Sequence, residues 1–185
     1  MAVVTRIAIA GEGGQGVQSV ANIIAEAAYA TGKQALYIPN FGVEQRGGVS
    51  IAFIQISDET IGSPKFAKGD IVVALSDRSV RRMQQYIDEN SIFVYDSAIK
   101  GVEEELPQNA KKILAIPAIQ IAQEELHPRV FNVIIMGAVI GATQVVDLED
   151  IKKALEKKLA YKFEQYPELR DLNYQALERG AELIH

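Results

Sequence analysis

The sequence predicts an α/β protein, a Rossmann-like, doubly wound and mostly parallel sheet with helices on both faces of a single domain spanning residues 1–185, and three observations predict it. Short β-branched apolar runs alternate along the chain with longer stretches of helical apolar spacing. The first apolar run stops at a glycine cluster, and a helical pattern follows at once. A length of 185 residues and a hydrophobic fraction of 48% suffice to bury one core without covalent staples.

Residues 3–10 form the first apolar run, which reads as a buried strand entering a tight turn. Over 17–30, Val20, Ile23, Ile24, Ala27 and Ala28 recur at three- and four-residue spacing, and Gly32 stands where a left-handed C-terminal cap belongs. Residues 35–38 read as a second strand closed by Pro39, and 40–48 as a polar, glycine-bearing loop. Residues 49–57 read as a third strand, with a hairpin ending near Phe66 left open. Further strands are expected at 71–75, 92–95 and 113–116, and a helix at 76–86 with Asp77 in its first turn. A short helix over 119–126 precedes the most apolar stretch, 133–146. That stretch falls short of the ~20 residues a bilayer span needs, so it reads as a buried helix with Asn132 as its N-cap. Gly137 and Gly141 are spaced to let another element approach it closely. Residues 148–159 and 171–184 read as amphipathic helices joined by a linker containing Pro167.

Composition narrows the function. A formal charge of −5 repels phosphate backbones, which argues against nucleic acid as a partner. The absence of cysteine removes disulfides, thiolate zinc sites, cysteine nucleophiles and cysteine-ligated iron–sulfur clusters from this chain. Two histidines, His127 before a proline and His185 at the terminus, cannot supply a metal cluster by themselves and give little material for a Ser-His-Asp triad. Residues 1–6 carry no basic segment leading into an apolar one, so no secretory signal or membrane association is expected and the cytoplasm is the default.

Gly11-x-Gly13-x-x-Gly16, with Gly14 and Gln15 inside it, lies between a strand and a helix, where glycines let backbone N–H groups approach an anion. The nicotinamide reading of that pattern requires an acidic residue ~20 positions on, but Tyr37, Ile38, Pro39 and Asn40 occupy the place. A Walker loop fails because Val17 and Gln18 follow Gly16. An anion site, a ligand-free tight turn and an NAD(P) dehydrogenase site all stay open on the residues alone. Gln15 either reaches a ligand or bonds the loop backbone. The second loop, Phe41-Gly42-Val43-Glu44-Gln45-Arg46-Gly47-Gly48, is expected at the same sheet edge. Glu44 and Arg46 are its catalytic or gripping candidates; pairing within the loop or simple solvation is the alternative. Arg78, Arg81 and Arg82 either draw an anion or form a solvated helix face, and Tyr161, Phe163 and Tyr166 make a small aromatic cluster to be buried on the core or a partner.

The two glycine loops, together with 56–64 (Ile-Ser-Asp-Glu-Thr-Ile-Gly-Ser-Pro), 132–138 (Asn-Val-Ile-Ile-Met-Gly-Ala) and 173–180 (Asn-Tyr-Gln-Ala-Leu-Glu-Arg-Gly), resemble the gamma subunit of 2-oxoacid:ferredoxin oxidoreductases over nearly the whole chain. The resemblance implies a Rossmann-like cover in a complex that decarboxylates a 2-oxoacid on thiamine diphosphate, sends electrons through iron–sulfur clusters to ferredoxin and acylates coenzyme A. The thiamine and clusters are then expected on alpha, beta and, where present, delta subunits, with none of these cofactors held by this chain alone. Gly11, Gly13, Gly14, Gln15, Gly16, Phe41, Gly42, Gly47, Gly48 and Asn132 become candidates for facing coenzyme A or a partner. The oxoacid is left among 2-oxoglutarate, pyruvate and 2-ketoisovalerate. A non-enzymatic nucleotide-binding or assembly protein is the other alternative, and the isolated chain is expected to be inactive and to form homodimers through surface meant for partners.

Overall fold

The computed structural model describes residues 3–41 and 48–185. Six strands, β1 (Val4–Gly11), β2 (Gln34–Phe41), β3 (Ser50–Ser57), β4 (Ile71–Ala74), β5 (Ile92–Asp96) and β6 (Lys112–Ile116), form one sheet in the order β2-β3-β1-β4-β5-β6. β1, β4, β5 and β6 run parallel, whereas β3 is antiparallel to both β1 and β2. β3 therefore occupies the place beside β1 that a parallel second strand takes in the dinucleotide-binding arrangement. The alternative of a hairpin ending near Phe66 fails, because β3 pairs with the strand before it and with β1. β2 runs through Pro39 to Phe41 instead of closing at 38, since on the outermost strand a missing N–H can face solvent without breaking a ladder.

The helices are α1 (Val17–Ala30), α2 (Asp77–Met83), α3 (Ala118–Glu124), α4 (Phe131–Thr143), α5 (Leu148–Gln165) and α6 (Glu168–Glu182). No helix among the described residues is long and apolar enough to cross a membrane. α1 ends where its periodicity stops: the Lys33 N–H donates to Ala28 O and the Gly32 N–H to Tyr29 O, with Gly32 at φ 88°. α2 starts at a Ser76 cap whose side chain accepts from the Ser79 N–H, and its last expected turn, Gln84–Tyr86, tightens to 3-10 geometry. Asn132 is not the cap of α4. A 3-10 turn at Pro128–Val130 already leads into the helix, so its first residue is Phe131 and Asn132 lies inside it.

Strand alternation divides the interior. Ile7, Ile9, Ile54, Ile56, Ile71 and Val73 face the large core built with α1, α3, α4, α5 and α6. Ala8, Ala10, Ile51, Val72, Ala74 and Phe93 face a smaller core closed by α2 through Val80 and Met83. Helices cover both faces, as expected, but unequally. On the thick side, α4 and α6 meet backbone to backbone. A Cβ on Gly137 would lie 2.0 Å from Leu177 O, and one on Gly180 2.0 Å from Ile134 O. The spacing of Gly137 and Gly141 thus serves the close approach it suggested. The aromatic cluster does not form as a unit: Phe163 is buried under the Arg170 guanidinium, whereas Tyr161 is 76% exposed and Tyr166 49%.

Candidate functional site

Parallel direction puts the carboxyl ends of β1, β4, β5 and β6 at one sheet edge, and the order reverses between β3 and β4 on either side of β1. Gly11 pairs with Ser50 and Phe41 pairs with the same Ser50, so the strand ends flanking positions 42–47 lie at the edge that carries the first glycine loop. Of the second-loop candidates, Gly42, Glu44, Arg46 and Gly47 lie outside the described residues. Phe41 ends β2 with 71% exposure, and Gly48 is partly buried just before β3.

The first loop is fastened from the inside. Gln15 Oε1 accepts from the Glu12 N–H at 2.7 Å, and Gln15 Nε2 donates to Leu75 O at 2.8 Å, which ties the turn to the segment after β4. Of its two open roles, Gln15 therefore takes the one on the loop backbone. Gly11 has no room for a side chain, because a Cβ would stand 2.7 Å from Gln15 Oε1. Gly16 caps α1 at φ 77°, and a Cβ there would meet Asn132 Nδ2 at 2.6 Å. Asn132 thus packs on the back of the loop. At Gly13 and Gly14, in contrast, a Cβ meets nothing within 4 Å among the described residues. The N–H groups of Gly13, Gly14 and Gly16 take no partner among the described residues and sit at the positive end of α1, so the cradle suits a phosphate or carboxylate.

Two hollows flank this cradle. One, of about 170 Å³, is lined by Gly14, Gln15, Ile119, Ala122, Gln123 and Phe131. The other, of about 400 Å³, is lined by Val49, Arg78, Arg81, Arg82 and Gln85. Arg78 Nε lies 3.8 Å from Glu12 Oε1, linking α2 to the first loop. Arg81 is engaged by Glu105 at 2.5 Å, whose hydrogen bond and charge push its pKa up. Arg78 and Arg81 therefore form an ion-paired basic rim, and Arg82 lines the same hollow.

Two polar devices at this edge escape local sequence reading. Asp96, at the end of β5, is fully buried and accepts from the Ala98 N–H at 2.8 Å and the Ile119 N–H at 2.9 Å, which seats the start of α3. Its burial raises the carboxyl pKa, and the same backbone donors oppose that rise. Gln18, in the first turn of α1, donates from Nε2 to Ser50 Oγ at 2.8 Å and Ile51 O at 3.0 Å, and its Oε1 accepts from the Tyr37 hydroxyl. Partners 19 and 32 positions away leave no periodic signal in a single sequence. For a nicotinamide site the geometry is unfavourable, since the strand beside β1 runs the wrong way and β2 ends in Asn40 and Phe41, which offer no carboxylate.

Comparison with known proteins agrees with the architecture. Residues 6–183 match the pyruvate ferredoxin/flavodoxin oxidoreductase family. Ketoisovalerate oxidoreductase subunit VorA of Methanothermobacter thermautotrophicus is 33% identical over 179 residues, which are 96% of this chain and 36% of the relative. The chain thus spans little more than a third of that subunit. The gamma subunit of a keto/oxoacid ferredoxin oxidoreductase from Geobacter sulfurreducens superposes with a TM-score of 0.82 at 27% identity, covering 98% of this chain and 97% of the other. The 2-oxoglutarate:ferredoxin oxidoreductase of Magnetococcus marinus, solved with 2-oxoglutarate, coenzyme A and succinyl-CoA bound, superposes with a TM-score of 0.87 at 25% identity over 98% of this chain and 31% of that chain.

Proposed function

Because the chain belongs to the pyruvate ferredoxin/flavodoxin oxidoreductase family, we propose that its residues 1–185 act as one gamma-type domain of a complex that converts a 2-oxoacid to its acyl-coenzyme A with electrons passed to ferredoxin. The observation that carries this reading is a glycine cradle fastened inwardly by Gln15 and Asn132 and open outwardly at Gly13 and Gly14, in a chain with no cysteine to hold a redox centre. Such an edge contributes backbone donors and shape. Thiamine diphosphate and iron–sulfur clusters, on alpha, beta and where present delta subunits, would supply the carbanion chemistry and the electron path. Within this chain, Gly13, Gly14 and Gly16 would offer N–H groups to an anionic part of coenzyme A, with Arg78 and Arg82 alongside. Phe41, Gly42, Glu44, Arg46, Gly47 and Gly48 would form the second side of the same cavity.

The oxoacid is one of 2-oxoglutarate, pyruvate and 2-ketoisovalerate, and a carboxylate held by partner chains leaves this chain no side chain with which to choose among them. A cytoplasmic site of action follows from a reaction partner such as ferredoxin. The test is reconstitution with the thiamine-binding and cluster-bearing subunits. The isolated chain should turn over no oxoacid and bind neither NAD nor NADP in a calorimetric titration. Joint alanine substitution of Glu44 and Arg46 should weaken coenzyme A use by the assembled complex. Unchanged coenzyme A affinity and activity would overturn the assignment of the second loop, and nicotinamide binding by the chain alone would overturn the whole reading.

A further inference from the structure

The first turn of α1 holds both strands that flank the second loop. Gln18 spends its amide entirely on them: Oε1 accepts from the Tyr37 hydroxyl of β2, and Nε2 donates to Ser50 Oγ and Ile51 O at the start of β3. One side chain on the helix that follows the first glycine loop thereby grips the outgoing and the incoming strand of the second. Gln18, Tyr37 and Ser50 are partly buried and Ile51 is buried, so the bonds are shielded from full competition by water. Burial pushes the Tyr37 pKa up, in keeping with a hydroxyl that donates to Gln18 Oε1. No other described side chain bonds both strands at this edge. Ile51, which faces the thin core, and Ala52, which faces the thick one, mark the first residues of β3 seated in the interior, so the Gln18 bonds lie at the start of β3.

We propose that Gln18 is a positioning residue that holds the ends of β2 and β3 in register with the first glycine loop, so that the strand ends flanking positions 42–47 stay at one edge with it. The proposal rests on the reading of that edge as the coenzyme A side of the complex, and goes beyond it by naming the residue that couples the loops. Gln18 touches no substrate in this role; it acts through Tyr37 and Ser50. Its chemistry also makes the two arms separable. Gln18→Glu keeps an acceptor for Tyr37 and loses the donor for Ile51 O, whereas Tyr37→Phe removes only the β2 arm.

Hydrogen–deuterium exchange of the full chain tests the coupling directly. Gln18→Leu should speed exchange about tenfold in peptides covering 34–41 and 48–53, and leave those covering 71–75 and 131–143 unchanged. Gln18→Glu should speed only 48–53, and Tyr37→Phe only 34–41, a side-specific signature that space filling would not give. If Gln18→Leu fails to fold, the two milder variants carry the test alone. Wild-type exchange in both peptides of every folded variant overturns the proposal, whatever the complex does. In the reconstituted complex, Gln18→Leu should raise KM for coenzyme A about fivefold with kcat little changed. Faster exchange with an unaltered KM would support the coupling of the strands and overturn the reading of this edge as the coenzyme A side.

Discussion

Glycine does opposite things in two regions of this molecule. In the α4–α6 seam, Gly137 and Gly180 are needed because another backbone occupies the space a side chain would fill, with carbonyls 2.0 Å from each missing Cβ. At the carboxyl edge, Gly13 and Gly14 have nothing among the described residues within 4 Å of that position. The first pair is spent on cohesion, the second on keeping a surface bare. Helix–helix contact at backbone distance fixes where α4 ends up, and α4 carries Asn132 against Gly16. The seam therefore positions the loop from behind, although it takes no part in what the loop faces.

The seam breaks most expensively. Gly137→Ala forces α4 and α6 apart along a dry interface, and overpacking of this kind costs roughly 3 kcal/mol. For a chain of this size that corresponds to a fall in Tm of roughly 6–12 °C, readable by calorimetry. An unchanged Tm would mean the two helices can separate freely, and the distinction between cohesive and bare glycines would lose its first half. At the edge, Gly14→Ala meets no neighbour among the described residues but must hold a side chain at φ 88°, at a cost of about 1–2 kcal/mol. Chemical denaturation should place it clearly below Gly137→Ala.

The legibility of these two regions in the sequence differs for the same reason. The strand, glycine turn and helix of β1 and α1 were readable because each signal is local: an apolar run, three glycines, a 3.6-residue period, a left-handed cap at Gly32. The sheet order was not, because the insertion of antiparallel β3 between β1 and β2 is decided by pairing partners about 50 residues apart, such as Val4 with Ser57. Pro39 misled by a general rule whose exception is the outermost strand. Asn132 misled because capping chemistry is also good packing chemistry, and only the turn before Phe131 decides which is used. At the site, the glycines were legible as residues but not as a division between packed and bare. Gln18 was legible only as the residue that spoils a Walker loop.

A smaller effect separates the two ways in which α6 is held. Against α4 it packs through backbone, whereas against α5 it is clasped by Arg170 and the Tyr174 hydroxyl, both bonded to Glu156. The Arg170 bond, then the Tyr174 bond, holds the Glu156 carboxyl below its usual range, and burial followed by Glu156 pushes the Tyr174 phenol up to about 12. A lowered carboxyl pKa contributes stability above the unfolded-state value, near 4.3 for glutamate, and the contribution is lost as pH falls through the folded value. Glu156→Gln should therefore lower Tm slightly at pH 7, and the gap from the wild type should close on acidification below about pH 4. A gap that widened in acid would reverse the sign of this linkage and remove the clasp from the account.

Gly13→Ala should have the smallest effect on the fold and is the sharpest probe of the edge. Gly13 does not adopt a positive φ, and its added methyl would touch no atom of the described residues, so stability should stay within about 0.5 kcal/mol of the wild type. The methyl would instead crowd the space beside the Gly13 and Gly14 N–H groups that the proposed anionic ligand would use. If the bare glycines serve a ligand, Gly13→Ala should raise KM for coenzyme A in the assembled complex while its melting curve overlays the wild type. An equal KM would show that the bareness of this loop has no ligand to serve. A displaced melting curve would show that the loop is packed against something on the protein itself, and the contrast with the α4–α6 seam would dissolve. Since the alanine leaves the amide N–H in place, a KM effect would report obstruction of the approach to the cradle rather than loss of its donors, and it would separate the use of the site from the stability of the fold at a single methyl group.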